Sequence, residues 1–189
     1  MKRLVQGDVG SGKTMVAVYT LLKAVSGGYQ AVLMAPTEIL AEQHYLNLKK
    51  MLEPLGIAPV LLTGSLTKKE RENVYAAIAD GSCPIAIGTH ALIQKQVQFA
   101  NLGAVVIDEQ HRFGVRQRLA LENKGRAPDV LVMTATPIPR SLALTLYGDM
   151  DLSIIDELPP GRQTIKTYCI GESKRQGLYG FLGQQIRDG

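Results

Sequence analysis

The sequence predicts an α/β protein whose mostly parallel sheet carries helices on both faces. Short apolar runs alternate with longer stretches of helical periodicity along the chain. Several of those runs are apolar throughout rather than alternating, as strands covered on both sides must be. At 189 residues, with 46% hydrophobic and 20% charged residues, the chain has enough apolar material for one sizeable domain and too little length for two of ordinary size. Tryptophan is absent and aromatics are 5%, so the expected core is aliphatic.

The runs 3–6, 31–35, 59–62, 85–87, 104–108, 130–133 and 152–155 read as strands. Helices are expected between them. Lys13–Val25 is apolar on nearly all sides and is expected to be deeply buried. In Glu38–Leu55, Leu48, Met51, Leu52 and Leu55 recur at helical spacing. Thr67-Lys68-Lys69-Glu70 is a capping box opening a helix that runs to Ala79, with Val74, Ala77 and Ile78 on its buried face. A shorter helix is expected over Pro139–Tyr147. Pro159-Pro160-Gly161-Arg162 then breaks the pattern. The expected division is a main domain over 1–158, a linker over 159–164 and, over 165–189, the start of a truncated second lobe. That last unit holds a strand at Ile165–Ile170 and a helix at Lys174–Arg187, whose Leu178, Phe181, Leu182 and Ile186 form an apolar stripe.

The formal net charge of +4 suits an anionic partner without requiring one. Cys83 and Cys169 form no CxxC pair; both are expected to be small buried apolar residues in a reduced, cytoplasmic setting. No apolar stretch approaches membrane-spanning length, and no signal peptide is read at the start.

Two motifs carry chemistry. Gly7-Asp8-Val9-Gly10-Ser11-Gly12-Lys13-Thr14 matches G-x-x-x-x-G-K-[ST] in full. Glycines let the backbone wrap phosphate oxygens without side-chain clash. The inward N–H groups and the following helix then favour an anion. Lys13 supplies a point charge for the β- and γ-phosphates, and the Thr14 hydroxyl is placed to ligate Mg²⁺. The second motif is an apolar strand ending in carboxylates, Ala104–Ile107 followed by Asp108-Glu109-Gln110-His111. Ligands of open α/β sheets sit beyond the carboxyl ends of strands. Asp108 is expected to hold Mg²⁺, largely through water, and Glu109 to orient and deprotonate the attacking water. Lys13, Asp108 and Glu109 are thus the candidate catalytic residues of one Mg–ATP site. His44 falls on a helix and His90 after a strand, with no Cys/His cluster around either.

Asp108–His111, the phosphate loop and Thr134-Ala135-Thr136-Pro137 together resemble superfamily-two helicases. Ala35-Pro36-Thr37-Glu38, Thr63-Gly64-Ser65 and Gly88-Thr89-His90 resemble that superfamily's smaller motifs, in the right order. The runs Asp108–Val115, Thr134–Arg140 and Leu146–Arg162 are similar to the RecG-type helicases of branched DNA; the coupling-factor motor Mfd is the nearest alternative. A nucleotide-binding module without motor activity is the alternative of another class. The resemblance implies a RecA-like P-loop NTPase lobe acting on branched or forked DNA. It also implies that Thr37, Gly64, Thr89, His90 and Arg140 contact DNA. Gln110, His111, Thr134 and Thr136 would couple nucleotide state to DNA grip, and Arg112 would contact phosphate or the partner lobe. The complete protein would add a second motor lobe, which supplies an arginine, and an N-terminal wedge domain. By itself this chain is expected to bind Mg–nucleotide weakly and turn over very slowly.

Overall fold

A computed structural model describes residues 1–109, 115–136, 150–157 and 167–188. The chain divides into two compact units, Met1–Pro159 and Pro160–Gly189.

The first unit is built on a seven-stranded sheet in which every pairing is parallel. In chain order its elements are β1 (Lys2–Gly7), α1 (Lys13–Ser26), β2 (Gln30–Met34), α2 (Glu38–Leu52), β3 (Val60–Leu62), α3 (Lys68–Ala79), β4 (Ile85–Gly88), β5 (Leu102–Asp108), α4 (Val115–Glu122), β6 (Asp129–Thr134) and β7 (Asp151–Ile155). Across the sheet the order is β3-β4-β2-β5-β6-β1-β7. All seven expected strands are present, within a residue or two at each end.

Strand alternation sorts the core into two layers. Val5, Leu33, Val106 and Leu131 face α1 and α2, alongside Ala17, Leu21, Leu48 and Leu52. Leu4, Val32, Val105, Ile107 and Val132 face the other way, alongside Ile78 of α3 and Leu121 of α4. Helices therefore cover both faces, and the central strands have no face left for polar residues. Gln30, at the start of β2, is a buried polar residue at only 4% exposed, and its side chain is fully engaged. Its Nε2 donates to the Ile78 and Cys83 carbonyls, each at 2.9 Å, and its Oε1 accepts from Asn101 N–H at 3.0 Å.

Local chemistry fixes several boundaries. Thr67 and Glu70 form the expected reciprocal cap of α3: Thr67 Oγ1 accepts from Glu70 N–H and Glu70 Oε2 accepts from Thr67 N–H. α2 stops at Leu52 rather than at Leu55, and Glu53–Leu55 form a 3-10 turn ended by Gly56 at φ 69°. Pro54 has no N–H to extend the helical ladder. α1 is not buried all round as its sequence suggests. It buries Ala17, Val18 and Leu21 but leaves Met15 and Tyr19 exposed, because a surface helix needs only one stripe to cover a sheet. α4 is absent from the sequence reading because its apolar residues gather on no single face, with Leu121 buried and Leu119 exposed. At the amino edge of the sheet a shallow groove lies between the last turns of α1 and the starts of β5 and β6, lined by Tyr19, Lys23, Tyr29, Gly103 and Arg126.

The second unit contains a 3-10 turn (Glu172–Lys174) and α5 (Arg175–Asp188). Leu178, Phe181, Leu182 and Ile186 are all exposed on α5. Of the strand expected at Ile165–Ile170, the described part, Thr167–Ile170, is not a strand. No neighbour pairs with it among the described residues, and an isolated strand has no ladder to hold it. Cys169 is likewise exposed rather than buried, since this segment covers no core; Cys83 is buried as expected. The expected helix Pro139–Tyr147 and the linker at 159–164 lie outside the described residues. Among the described residues no helix is long and apolar enough to cross a membrane.

Candidate functional site

An all-parallel sheet puts every carboxyl end on one edge, so the registers decide which motifs meet. Gln6 of β1 pairs with Thr134 of β6, and Asp108 of β5 pairs with Met133. The phosphate loop and the Asp108–Glu109 pair thus leave the sheet at nearly the same height, with only β6 between their strands. At the usual strand spacing that separation is about 10 Å. Further along the same edge, Ile107 pairs with Met34, Met34 with Gly88, and Gly88 with Leu62. The segments Ala35–Thr37, Thr89–His90 and Thr63–Ser65 therefore begin flush with one another. One half of the edge carries the nucleotide motifs and the other half carries the three candidate DNA loops.

The phosphate loop has the backbone its motif demands. Gly10 and Gly12 sit at φ 83° and 89°, a region that suits glycine. Ser11 N–H donates to the Asp8 carbonyl at 3.1 Å, and Val9 N–H to Asp8 Oδ1 at 2.7 Å. Lys13 lies back along the loop, its Nζ donating to the carbonyls of Gly7 and Asp8 at 2.7 Å each. Thr14 follows in the first turn of α1. A Cβ on Gly7 would stand 2.6 Å from Ser11 Oγ and 3.0 Å from Ile155 Cβ, so glycine is required there for space. Ser11 Oγ is itself buried without a hydrogen-bond partner. An ammonium, an unsatisfied hydroxyl and a glycine-rich turn at a helix start fit a polyphosphate.

At the end of β5, Glu109 adopts φ 51°, a left-handed conformation uncommon for a residue with a side chain. The chain thus turns sharply as it leaves the sheet, a strain typical of functional loops. Asp108 does not stand alone: its Oδ2 is 2.8 Å from His44 Nε2, with the two side chains 15% and 13% exposed. The candidate cation ligands from the sequence are a carboxylate and a hydroxyl, Asp108 and Thr14. So sparse a set suits Mg²⁺, which keeps several waters and shares phosphate oxygens.

The smaller motifs are held largely by their own hydrogen bonds. The Thr37 hydroxyl caps α2 by accepting from Leu40 N–H at 3.3 Å. Thr63 and Ser65 hydroxyls meet at 2.8 Å. Gly64 N–H donates to Glu38 Oε1 at 2.9 Å, while its carbonyl accepts from Arg71 Nη2 at 3.0 Å. Thr89 is buried at the start of a 3-10 turn, and His90 beside it is exposed. Thr134 is buried and its Oγ1 accepts from Thr136 N–H at 3.1 Å. Gln110, His111, Arg112 and Arg140 lie outside the described residues.

Sequence reasoning passed over His44. Its partner is 64 residues away. The available signal was topological: α2 starts at the carboxyl end of β2, and β2 is the neighbour of β5.

Comparison with known proteins identifies relatives of the chain. Residues 2–145 match the family described as DEAD/DEAH box helicase. The chain is 57% identical over its whole length to the ATP-dependent DNA helicase RecG of Synechocystis sp., of which it covers 23%. It is 51% identical over its whole length to RecG of Bacillus subtilis, covering 28%. It is 55% identical over 94% of its length to RecG of Escherichia coli O157:H7, covering 26%. The chain therefore spans about a quarter of the length of these relatives. Among solved structures, RecG bound to a three-way DNA junction superposes with a TM-score of 0.83 at 46% identity, covering all of this chain and 25% of that one. The helicase MrfA bound to DNA and AMPPNP, at 21% identity and a TM-score of 0.65 over 84% of this chain and 25% of its own, shares the fold.

Proposed function

The chain belongs to the DEAD/DEAH box helicase family, and from that membership we propose that residues 1–158 are the RecA-like ATP-binding lobe of a RecG-type DNA helicase. Residues 159–164 link it to 165–189, the opening of a second motor lobe. The observation that carries the reading is the shared sheet edge, with the phosphate loop and Asp108–Glu109 flanking β6 and the candidate DNA loops beside them.

The residues divide the work as follows. Gly7–Thr14 wrap the phosphates with backbone N–H groups. Lys13 leaves its two carbonyl partners to neutralise the β- and γ-oxygens, where charge accumulates during phosphoryl transfer. Thr14 and Asp108 hold Mg²⁺. Bound Mg–ATP supplies a phosphoanhydride whose cleavage releases free energy for movement. Glu109 orients a water molecule and takes its proton at the carboxylate. Thr37, Gly64, Thr89, His90 and Arg140 contact the DNA backbone, which positions a protein without reading sequence. Gln110, His111, Thr134 and Thr136 link the two halves. The substrate is forked or branched DNA, and the setting is cytoplasmic. A second lobe contributes an arginine to the transferring phosphate, and a wedge domain engages the branch.

The test is steady-state ATP hydrolysis by the complete protein, with and without forked DNA. Turnover is expected to rise with DNA and to fall to background in Lys13→Ala. Residues 1–189 alone are expected to lose about 10³–10⁵ in rate for want of the arginine. Strong DNA-stimulated turnover by 1–189 alone, or normal turnover by K13A, refutes the assignment.

A further inference from the structure

His44 belongs to none of the motifs that assign the nucleotide and DNA sites, yet it reaches into one of them from an element that begins at the other. It sits in the second turn of α2, whose first residues are tied to the candidate DNA loops. Thr37 caps that helix, and Glu38 Oε1 holds the N–H of Gly64. Arg71 grips the carbonyl of the same glycine, so Gly64 is clamped from both sides. Six residues along the helix from Glu38, about 9 Å of axial rise, His44 Nε2 stands 2.8 Å from Asp108 Oδ2. The carboxylate accepts only, so Nε2 carries the hydrogen. Between these two ends α2 is a continuous helix anchored on the sheet through Ala41, Leu48 and Leu52. A short helix with a buried stripe moves as a unit. A shift of the Thr37–Gly64 loops on DNA therefore reaches the metal carboxylate through one hydrogen bond.

We infer that His44 is a positioning residue that holds Asp108 through Nε2 and so links DNA engagement at the Thr37 and Gly64 loops to Mg–nucleotide binding. The inference rests on the reading of Asp108 as a magnesium ligand. It adds a second connection, through α2, to the one assigned above to Thr134, Thr136 and the residues after Glu109. Linkage is reciprocal, so Mg–nucleotide must tighten DNA by the same factor that DNA tightens Mg–nucleotide.

The experiment measures equilibrium binding of Mg–AMPPNP to the complete protein, with and without saturating forked duplex. The ratio of the two affinities is the coupling. Two variants separate bonding from packing: His44→Phe keeps a ring and loses the donor, whereas His44→Gln keeps a donor and loses the ring. Wild-type coupling is expected within the common range of about 5–150-fold. H44F should lower it at least threefold while H44Q stays near wild type. Equal coupling in all three proteins overturns the inference, as does loss in H44Q with retention in H44F, or loss in both variants. Failure of the wild-type protein to bind Mg–AMPPNP at all would instead sink the nucleotide-site assignment itself.

Discussion

Replacing Gln30 with leucine removes a polar clamp from inside an apolar sheet while nearly conserving volume. The native side chain makes three hydrogen bonds, to the Ile78 and Cys83 carbonyls and from Asn101 N–H. These join the start of β2 to the end of α3, the lead into β4 and the lead into β5. Leucine satisfies none of them, and each stranded partner costs about 1–3 kcal/mol when buried. Taking the lower part of that range, about 1–1.7 kcal/mol for each of the three, gives a loss of about 3–5 kcal/mol, offset by about 1 kcal/mol of added apolar burial. The net loss of about 2–4 kcal/mol is a large share of the roughly 5–15 kcal/mol that holds an ordinary domain. For a chain of this size it corresponds to a fall in Tm of about 4–16 °C. Urea unfolding followed by circular dichroism measures it as a lower midpoint at constant slope. A loss below about 1 kcal/mol at unchanged slope would show that water replaces the clamp and that Gln30 does not set the register.

Three further outcomes follow from particular contacts. Gly88→Ala places a Cβ 2.1 Å from the Leu62 carbonyl oxygen, so β3 must separate from β4; a drop in stability of several kcal/mol, about the scale of severe overpacking, is expected in the same unfolding assay. Thr67→Ala removes the hydroxyl half of the α3 cap, leaves the backbone N–H to Glu70 Oε2 in place, and should cost about 1 kcal/mol. The hydrogen bonds from Thr67 hold the Glu70 carboxyl below its ordinary range. That contribution is therefore full above the unfolded value and lost as pH falls through the folded one, so the wild-type advantage over T67A should shrink in acid. At neutral pH a maleimide should label Cys169 rapidly and Cys83 only on unfolding, as read by mass spectrometry. Burial pushes the Cys83 thiol up to about 11, so its stabilising effect holds below pH 9 and fades as pH climbs toward 11.

Much of the fold was legible because its signals are local. Strands buried on both faces are apolar along their run, as β2 is from Ala31 to Met34, and the α3 cap is written in four consecutive residues. The phosphate loop was legible for the same reason: glycine is needed where the backbone turns to the left, at Gly10 and Gly12. What stayed hidden depends on partners distant in sequence. The apolar composition of α1 says nothing of which side meets the sheet, so Tyr19 and Met15 looked buried and are not. Thr167–Ile170 has the composition of a strand, but pairing, not composition, makes a strand. The His44–Asp108 bond requires the knowledge that β2 and β5 are neighbours, which periodicity alone does not provide. Gln30 likewise reads as a polar residue at a strand start until its three partners are placed around it.

Because the candidate nucleotide and DNA loops among the described residues hang from the carboxyl edge, the amino edge with its tyrosine-lined groove is open ground for instrumentation. Ser26 is exposed there, at the far end of a 14-residue α1 that starts at Lys13. A fluorophore attached at that position rides about 20 Å from the glycine-rich loop on a stiff rod. In the proposed two-lobe protein it can report lobe motion by energy transfer while leaving every proposed ligand contact untouched.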